Sequence, residues 1–439
     1  MDLELEMLVA GSSPHELEQI YQNALKDGEI DHFSSAIRSC YEADPDNLLY
    51  AAWYYRLKDA LEPAVTPRRA VNWTLAIPLS MLTGLIYWLL SDFGAFSILD
   101  NIPSLVLWWS PIAAMSALIF LSVTAKSNIA RAVALGLGLM AVAAYAIVFV
   151  PRMEPEWKVE QYLILSAIHI PLLCWIALGI SVLGFRSSVE DRFAFLIKSI
   201  EVIITAGLYL IAGVVVGAIT VGMFAALSIE LPEIWLRLIA AGGFGLLPVL
   251  AVASVYDPGS TPSEQDFAHG LGRFIATMMR LLLPLTLGVL VIYIIVIPFN
   301  FSEPFINRDV LIVYNVMLFG IIGLLIGATP ISDADLSPQR KAWLRWGVIM
   351  AATLAVLISI YALSAIIYRT IEGGLTINRM MISGWNIINI GILVWLVYRQ
   401  FKDGRPRYVS SLHSVFSFAT SLYFAWGLFL VLAVPWLFR

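Results

Sequence analysis

A short polar connection, from Arg369 to Arg379, joins two long apolar segments near the end of the chain. Glu372 lies between the two arginines, and the three charges could face the head group of a lipid-linked substrate. The neighbouring residues also have a structural explanation, because Gly374 permits a positive φ in a tight turn and Thr376 can cap the helix that follows. We therefore treat Arg369, Glu372, Gly374, Thr376 and Arg379 as a candidate loop site.

Charged side chains also fall inside the apolar segments, where each costs about 2.5–3.5 kcal/mol on insertion scales. Lys198 and Glu201 are three residues apart and can pair on one helix face. Arg273 and Arg280 are seven residues apart and also share a face. Arg280 could reach the interface, pair with an acid such as Glu201, or line a polar cavity.

Three uncharged polar residues complete this candidate set. His169, Asn386 and Asn389 lie inside apolar segments, and we expect them to form hydrogen bonds between helices. The predicted polar cavity or pairing set is thus Arg280, Arg273, Glu201, Lys198, His169, Asn386 and Asn389.

The sequence has no recognisable catalytic or metal-binding motif. It has five histidines without metalloprotease spacing and two cysteines, Cys40 and Cys174. It also lacks a nucleophile elbow and a phosphate-binding glycine loop. We predict no cofactor and no metal, and the sequence argues against an enzyme.

The composition is typical of a membrane protein. Hydrophobic residues make up 59% of the chain and charged residues 13%, against about 25% charged in soluble domains. A net charge of −5 argues against a nucleic-acid partner. The predicted fold is all-α and polytopic, with the lipid bilayer as its surroundings. About eleven transmembrane helices are expected at 71–90, 105–124, 130–150, 161–183, 200–228, 234–255, 273–298, 310–329, 344–368, 380–398 and 412–437.

Residues 1–68 differ from this membrane domain, residues 69–439, because they are polar and have the pattern of about three helices. Ser13, Pro14 and Glu16 predict a capped helix start. Arg68 and Arg69 precede the first apolar segment, so the positive-inside rule places this small helical domain in the cytoplasm and the 369–379 loop outside. The N-terminal domain is either a cap on the membrane domain or a module that binds a cytoplasmic protein.

Gly213 and Gly217 form a G-x-x-x-G pattern within the fifth apolar segment. Two glycines at this spacing let helices approach closely, which allows a homodimer.

Three features over roughly residues 190–400 carry a family resemblance. They are the Lys-x-x-Glu unit of Lys198 and Glu201, the Arg-Leu-Leu-Leu-Pro-Leu run that begins at Arg280, and the Gly-Leu-Thr-x-x-Arg turn from Gly374 to Arg379. Together they resemble an uncharacterised bacterial multi-pass membrane family, the domain-of-unknown-function family "four-one-five-three". The resemblance implies a location in the bacterial inner membrane and no particular activity.

Three functions remain open at this stage. The intramembrane polar residues favour a transporter, permease or channel whose path runs between the segments that hold Arg280, Glu201, Asn386 and Asn389. A membrane scaffold or signalling component would use residues 1–68 to bind its partner. An enzyme acting on a lipid-linked substrate would use the 369–379 loop.

Overall fold

Helices account for nearly all the regular structure of the computed structural model, which describes residues 13–27, 30–61, 71–92, 94–99, 102–126, 129–184, 186–267, 269–332 and 336–438. The chain divides into two units, Met1–Arg69 and Ala70–Arg439. The predicted domain boundary at Arg68 and Arg69 lies outside the described residues.

The N-terminal unit consists of α1 (Pro14–Asp27), α2 (Ile30–Ala43) and α3 (Leu48–Leu61). The predicted cap at the start of α1 is confirmed. The Ser13 amide donates to Oε2 of Glu16 over 2.7 Å, and the Glu16 amide donates to Oγ of Ser13 over 3.4 Å. Two otherwise unsatisfied amide groups are thus bonded at the helix start.

Aromatic side chains form the core of the N-terminal unit. Phe33 and Trp53 meet edge to face with their ring centroids 5.7 Å apart, and Tyr21 packs against both. Leu17 and Ile37 are fully buried beside them. Each of the three helices contributes one of these rings, so the burial of the rings holds the helices together.

Eleven helices of the second unit are long and apolar enough to cross a membrane, within the part of the chain that the structure describes. The prediction of an all-α polytopic fold with about eleven spans is therefore confirmed. The helices are α4 (Trp73–Leu90), α5 (Leu105–Ala125), α6 (Ile129–Phe149), α7 (Glu156–Leu183), α8 (Val189–Ala226), α9 (Glu233–Val255), α10 (Gly270–Val296), α11 (Arg308–Ala328), α12 (Pro338–Gly373), α13 (Ile377–Lys402) and α14 (Tyr408–Leu437).

Glycines allow α4 and α9 to cross in close contact. A methyl group added to Gly245 would lie 2.6 Å from the Cα of Gly84, and one added to Gly84 would lie 2.6 Å from the carbonyl oxygen of Gly242. A π-helical turn at Leu238–Gly242 ends within this crossing. The glycine-rich run in α9 is thus explained by helix packing.

A small hairpin connects α4 to α5. Its strands β1 (Ser97–Leu99) and β2 (Ile102–Pro103) pair antiparallel, with Leu99 opposite Ile102. Asp92, just before the hairpin, forms a 2.7 Å ion pair with Arg237 of α9. The hydrogen bond from Arg237 lowers the pKa of the Asp92 carboxyl, so this link joins α4 to α9 near neutral pH.

Helices α13 and α14 lie between two hydrophobic clusters of the membrane unit. One cluster includes Leu393 of α13 and Phe416 of α14, packed with residues of α10, α11 and α12. The other includes Ile377 of α13 and Val431 of α14, packed with residues of α5, α6 and α7. Polar side chains on α13 and α14 are therefore placed where the two clusters meet.

Helices α8 and α10 contribute residues to the first cluster but bury the smallest share of their apolar stretch among the eleven candidate spans. Val214, Val215 and Val216 of α8 are exposed, as are Ile292 and Ile295 of α10. Exposed apolar side chains along a membrane-spanning helix are the surface that lipid hydrocarbon covers. The two helices form a lipid-facing side of the unit.

Candidate functional site

A pocket of about 250 Å³ lies where α7, α11, α12 and α13 meet, at the N-terminal end of α13. We call it the arginine pocket. Its polar lining consists of Gln161, Arg369, Thr376, Asn378 and Arg379, and its apolar lining of Leu311, Ile312, Ile366 and Ile382. The structure thus brings three residues of the predicted loop site into one cavity.

Local backbone geometry shapes the loop beside this pocket. Gly374 has a φ of +76°, and Oγ1 of Thr376 accepts a 3.3 Å hydrogen bond from the Arg379 amide. Nη1 of Arg379 donates to the Gly374 carbonyl over 2.5 Å. The turn and cap predicted for Gly374 and Thr376 are both confirmed, and they hold the Arg379 guanidinium at the pocket.

The two arginines of the pocket are not neutralised by carboxylates within the described residues. Nη1 of Arg369 donates to the Ile306 carbonyl over 3.2 Å, and Arg379 bonds Gly374 as described. Glu372, predicted to act together with them, instead accepts a hydrogen bond from the Tyr368 hydroxyl and does not line the pocket. A guanidinium has five N–H donors, so most donors of both arginines have no partner among the described residues.

Asn378 adds an open acceptor. Its backbone amide donates to Oε1 of Gln161 over 3.3 Å. Its side-chain oxygen is buried and has no hydrogen-bond partner among the described residues. A buried polar atom without a partner costs free energy, so this oxygen marks a position where a ligand donor would be stabilised.

A chain of side-chain amides leads from the floor of the arginine pocket into the helix bundle. Nδ2 of Asn315 donates to the carbonyl of Leu311 over 2.8 Å. Nδ2 of Asn386 donates to Oδ1 of Asn315 over 2.7 Å and to the carbonyl of Ile382 over 3.2 Å. Because Leu311 and Ile382 also line the pocket, the first members of this chain are one helical turn below it.

The chain of polar side chains continues one turn further along α13. Oδ1 of Asn389 accepts a 2.6 Å hydrogen bond from the Tyr423 hydroxyl of α14. Nδ2 of Asn389 is buried and has no hydrogen-bond partner in the part of the chain that the structure describes. The Tyr423 ring meets Trp385 edge to face, with the centroids 5.1 Å apart.

His169 joins this group from α7. Its Nε2 accepts a 2.9 Å hydrogen bond from Nε1 of Trp385, and its Nδ1 lies 2.7 Å from the carbonyl of Leu165. A carbonyl can only accept, so Nδ1 carries the proton and Nε2 is the acceptor. The histidine is therefore neutral in this arrangement. We call His169, Asn315, Trp385, Asn386, Asn389 and Tyr423 the central network.

A second pocket, of about 220 Å³, lies among α7, α8 and α14. We call it the serine pocket; its polar lining is Ser187, Arg192, Ser417, Thr420 and Ser421. Nε of Arg192 donates to Oγ of Ser187 over 2.9 Å. Thr420 is one helical turn from Tyr423, so the pocket lies close to the central network along α14.

The two pockets lie on opposite sides of His169 along α7. Gln161 of the arginine pocket precedes His169 by eight residues, and Ile176 of the serine pocket follows it by seven. At 1.5 Å per residue these distances are about 12 Å and about 10 Å. The three sites together extend over most of the thickness of a bilayer core, which is about 30 Å.

The remaining members of the predicted cavity set lie elsewhere. Nζ of Lys198 forms a buried 2.8 Å ion pair with Oε2 of Glu201 and donates to the carbonyl of Asp266 over 2.6 Å. Arg280 donates from Nε to the carbonyl of Ala328 over 3.2 Å, and Arg273 is exposed. Glu201 thus pairs with Lys198, as their spacing predicts, and not with Arg280. A path past both Arg280 and Asn386 stays a prediction.

Several residues of the site were not found by sequence reasoning. Trp385 and Tyr423 lie in the middle of apolar segments, away from the interfaces where such aromatic residues are usually expected. This position inside an apolar segment is the feature of the sequence that could have indicated both residues. Gln161 lies in α7, far in sequence from the 369–379 loop, so only the fold shows that it contacts Asn378.

The fold and these sites define a multi-pass α-helical membrane protein with polar groups buried between its helices. The described residues contain no group of three His, Cys, Asp or Glu side chains placed to hold a metal ion. Comparisons with known protein families, with curated proteins and with solved structures find no match for this chain.

Proposed function

We propose that this chain is a permease-like transporter whose substrate path follows α7, α13 and α14 from the arginine pocket to the serine pocket. One observation carries the proposal. The amide chain of Asn315 and Asn386 begins at the floor of the arginine pocket and leads toward Asn389 and Tyr423 inside the bundle.

Polar side chains at membrane depth support this assignment on energetic grounds. Each one must be satisfied by another protein group, by water or by a ligand, because hydrocarbon offers no hydrogen bonds. In the central network, Nδ2 of Asn389 is buried and finds no partner within the described ranges of the chain. A substrate passing along the path would supply the missing acceptor there.

The path is closed in this conformation. The side chains of His169, Trp385 and Asn389 are buried between the two pockets. The hydrogen bond from Tyr423 to Asn389 joins α14 to α13 at this closed region. Passage of a substrate would break this bond and separate the two helices, which is the rearrangement that alternating access requires.

The sidedness follows from the positive-inside rule and is part of the proposal. That rule places the arginine pocket at the outer surface and the serine pocket at the cytoplasmic surface of a bacterial inner membrane. Three further points are proposals of the same kind. They are the resemblance to the four-one-five-three family, a cytoplasmic partner for residues 1–68, and a homodimer through Gly213 and Gly217. A methyl group on Gly217 would lie 3.1 Å from Ile239, so this glycine also serves packing within the chain.

The proposal is tested by cysteine labelling, which needs no knowledge of the substrate. Cys40 and Cys174 are first replaced by alanine, and Asn389→Cys or Thr376→Cys is then introduced. A membrane-impermeant maleimide is applied to intact cells and to inverted membrane vesicles. We expect Thr376→Cys to react from the outer side alone, and Asn389→Cys to react from both sides because the closed region opens alternately.

Leu393→Cys provides the matched control, since Leu393 lies on the same helix one turn further and is fully buried in a hydrophobic cluster. It should remain unlabelled from either side. A path through the central network is excluded if Asn389→Cys behaves like Leu393→Cys in both preparations.

A further inference from the structure

We propose that the arginine pocket binds a phosphate group, either of a soluble phosphate compound or of a phospholipid head group. This inference rests on the proposed transport function only in that the bound ligand is transported. Binding itself can be measured separately. It concerns the ligand of the pocket, which the path itself leaves undefined.

Within the described residues, the cavity carries positive charge that no carboxylate compensates. Arg369 on α12 and Arg379 on α13 line one volume of about 250 Å³. Within the described residues, each guanidinium has one hydrogen bond, to the carbonyl of Ile306 or Gly374, and no carboxylate partner. A phosphate would use the remaining donors and neutralise both charges.

Hydrogen-bond donors reach the cavity from several directions. The guanidinium groups come from two different helices, and Gln161 contributes an amide from a third. A tetrahedral phosphate accepts hydrogen bonds from several directions, whereas a planar carboxylate is satisfied by one arginine fork. Donors from separate helices therefore favour phosphate.

The N-terminal end of α13 adds a smaller contribution. The amides of Asn378 and Arg379 are already bonded to Gln161 and Thr376, so the helix acts on the anion through its dipole. The arginines must therefore provide the specific contacts. The unpartnered Oδ1 of Asn378 can in addition accept a hydrogen bond from a hydroxyl or ammonium group of the ligand.

The position of Arg379 depends on the glycine before the turn. A methyl group on Gly373 would lie 2.9 Å from Nη1 of Arg379. Gly373→Ala would thus displace the guanidinium without removing it. This substitution tests the geometry of the pocket separately from its charge.

The binding test uses the full-length protein in dodecyl maltoside, a detergent without phosphate, titrated by calorimetry with inorganic phosphate and with glycerol 3-phosphate at constant ionic strength. We expect Arg369→Gln and Arg379→Gln each to weaken binding roughly tenfold or more, since each removes a charge-assisted interaction. Arg369→Lys should retain part of the affinity, because it keeps the charge but loses the planar fork. Size-exclusion profiles verify that each variant is folded.

Arg152→Gln is the matched control, because Arg152 is an exposed arginine close to the start of α7, at the same end of the unit as the pocket. Its substitution should leave phosphate affinity unchanged. Equal weakening by Arg152→Gln and Arg369→Gln would show a general charge effect and overturn the proposal. Binding of acetate as strong as that of phosphate would overturn the preference for phosphate.

A second arm identifies the source of the phosphate. In nanodiscs that contain phosphatidylglycerol, the lipid would already occupy a head-group site, so inorganic phosphate would no longer bind. Native mass spectrometry would then show lipid retained by the unmodified protein and lost by Arg379→Gln. A site for soluble compounds would bind phosphate equally in the detergent and in these nanodiscs. If neither inorganic phosphate, glycerol 3-phosphate nor phosphatidylglycerol binds in an Arg379-dependent way, the inference fails.

The two proposals fail separately. If phosphate binds but Asn389→Cys is labelled from neither side, the phosphate site is retained and the transport path is excluded. If Asn389→Cys is labelled from both sides but phosphate does not bind, the transport path is retained and phosphate is excluded as the ligand.

Discussion

At the scale of single residues, the contact of His169 with Trp385 shows how the central network is held together. The two residues are 216 positions apart, and the indole N–H donates to Nε2 of the imidazole over 2.9 Å. Their rings are nearly parallel, with centroids 5.7 Å apart. Both partners are buried, so removal of either leaves a polar atom of the other without a hydrogen bond.

We therefore expect His169→Leu to lower the free energy of unfolding by about 1–3 kcal/mol, which is the cost of a buried donor left unsatisfied. Trp385→Phe should cost a similar amount because it leaves Nε2 of His169 without its donor. The loss in the double variant should be smaller than the sum of the single losses. Urea unfolding in detergent, followed by circular dichroism, measures all three.

Strict additivity of the two substitutions would show that the hydrogen bond contributes nothing measurable. Ile168→Val serves as the control for a substitution on α7 outside this hydrogen bond, since Ile168 is exposed beside His169. Its effect should be within the error of the measurement.

At the scale of helices, the approach of α13 to α14 depends on a glycine. A methyl group on Gly384 would lie 2.0 Å from Cζ2 of Trp426. Gly384 directly precedes Trp385 in the sequence, so this close approach also positions the central network. The large indole ring on α14 fills the space that the missing side chain on α13 leaves.

Gly384→Ala should therefore destabilise the protein by about 1–3 kcal/mol through overpacking. Gly391→Ala on the same helix is the matched control, because a methyl group there meets nothing within 4 Å. It should be neutral or stabilise by up to about 1 kcal/mol through helix propensity. Thermal unfolding in the same detergent compares the two, and equal effects would contradict this account of α13 and α14.

At the scale of the whole molecule, the chain consists of two units with separate cores. The N-terminal unit buries Phe33, Ile37 and Trp53 among its own helices. The membrane unit has its own hydrophobic clusters, built from α4 to α14. Separate cores imply that each unit can lose its structure without the other.

A fragment of residues 1–69 should accordingly fold by itself, with a helical circular dichroism spectrum and a cooperative thermal transition. Trp53→Ala should lower the midpoint of that transition strongly, because it removes the ring that packs against Tyr21 and Phe33. In the full chain, the same substitution should leave cysteine labelling of Thr376→Cys unchanged. A fragment without helical signal would contradict the independence of the unit.

The sequence by itself determined the class of protein and the number of membrane-spanning helices. Both follow from local properties, namely the length and hydropathy of each apolar segment, which need no information about distant residues. Local rules also predicted the start of α1, the positive φ of Gly374 and the cap at Thr376. Each of these depends on residues within a few positions of one another.

Only the tertiary structure decided which polar residues act together. Asn386 bonds Asn315, Asn389 bonds Tyr423, and His169 bonds Trp385. The pair of Lys198 and Glu201, by contrast, follows from their three-residue spacing on one helix. Helix periodicity shows which face of a helix a residue occupies, but the neighbour on that face depends on the packing of the other helices. For this reason the sequence singled out Arg369 and Arg379, whereas the cavity between them depends on how α7, α11, α12 and α13 meet.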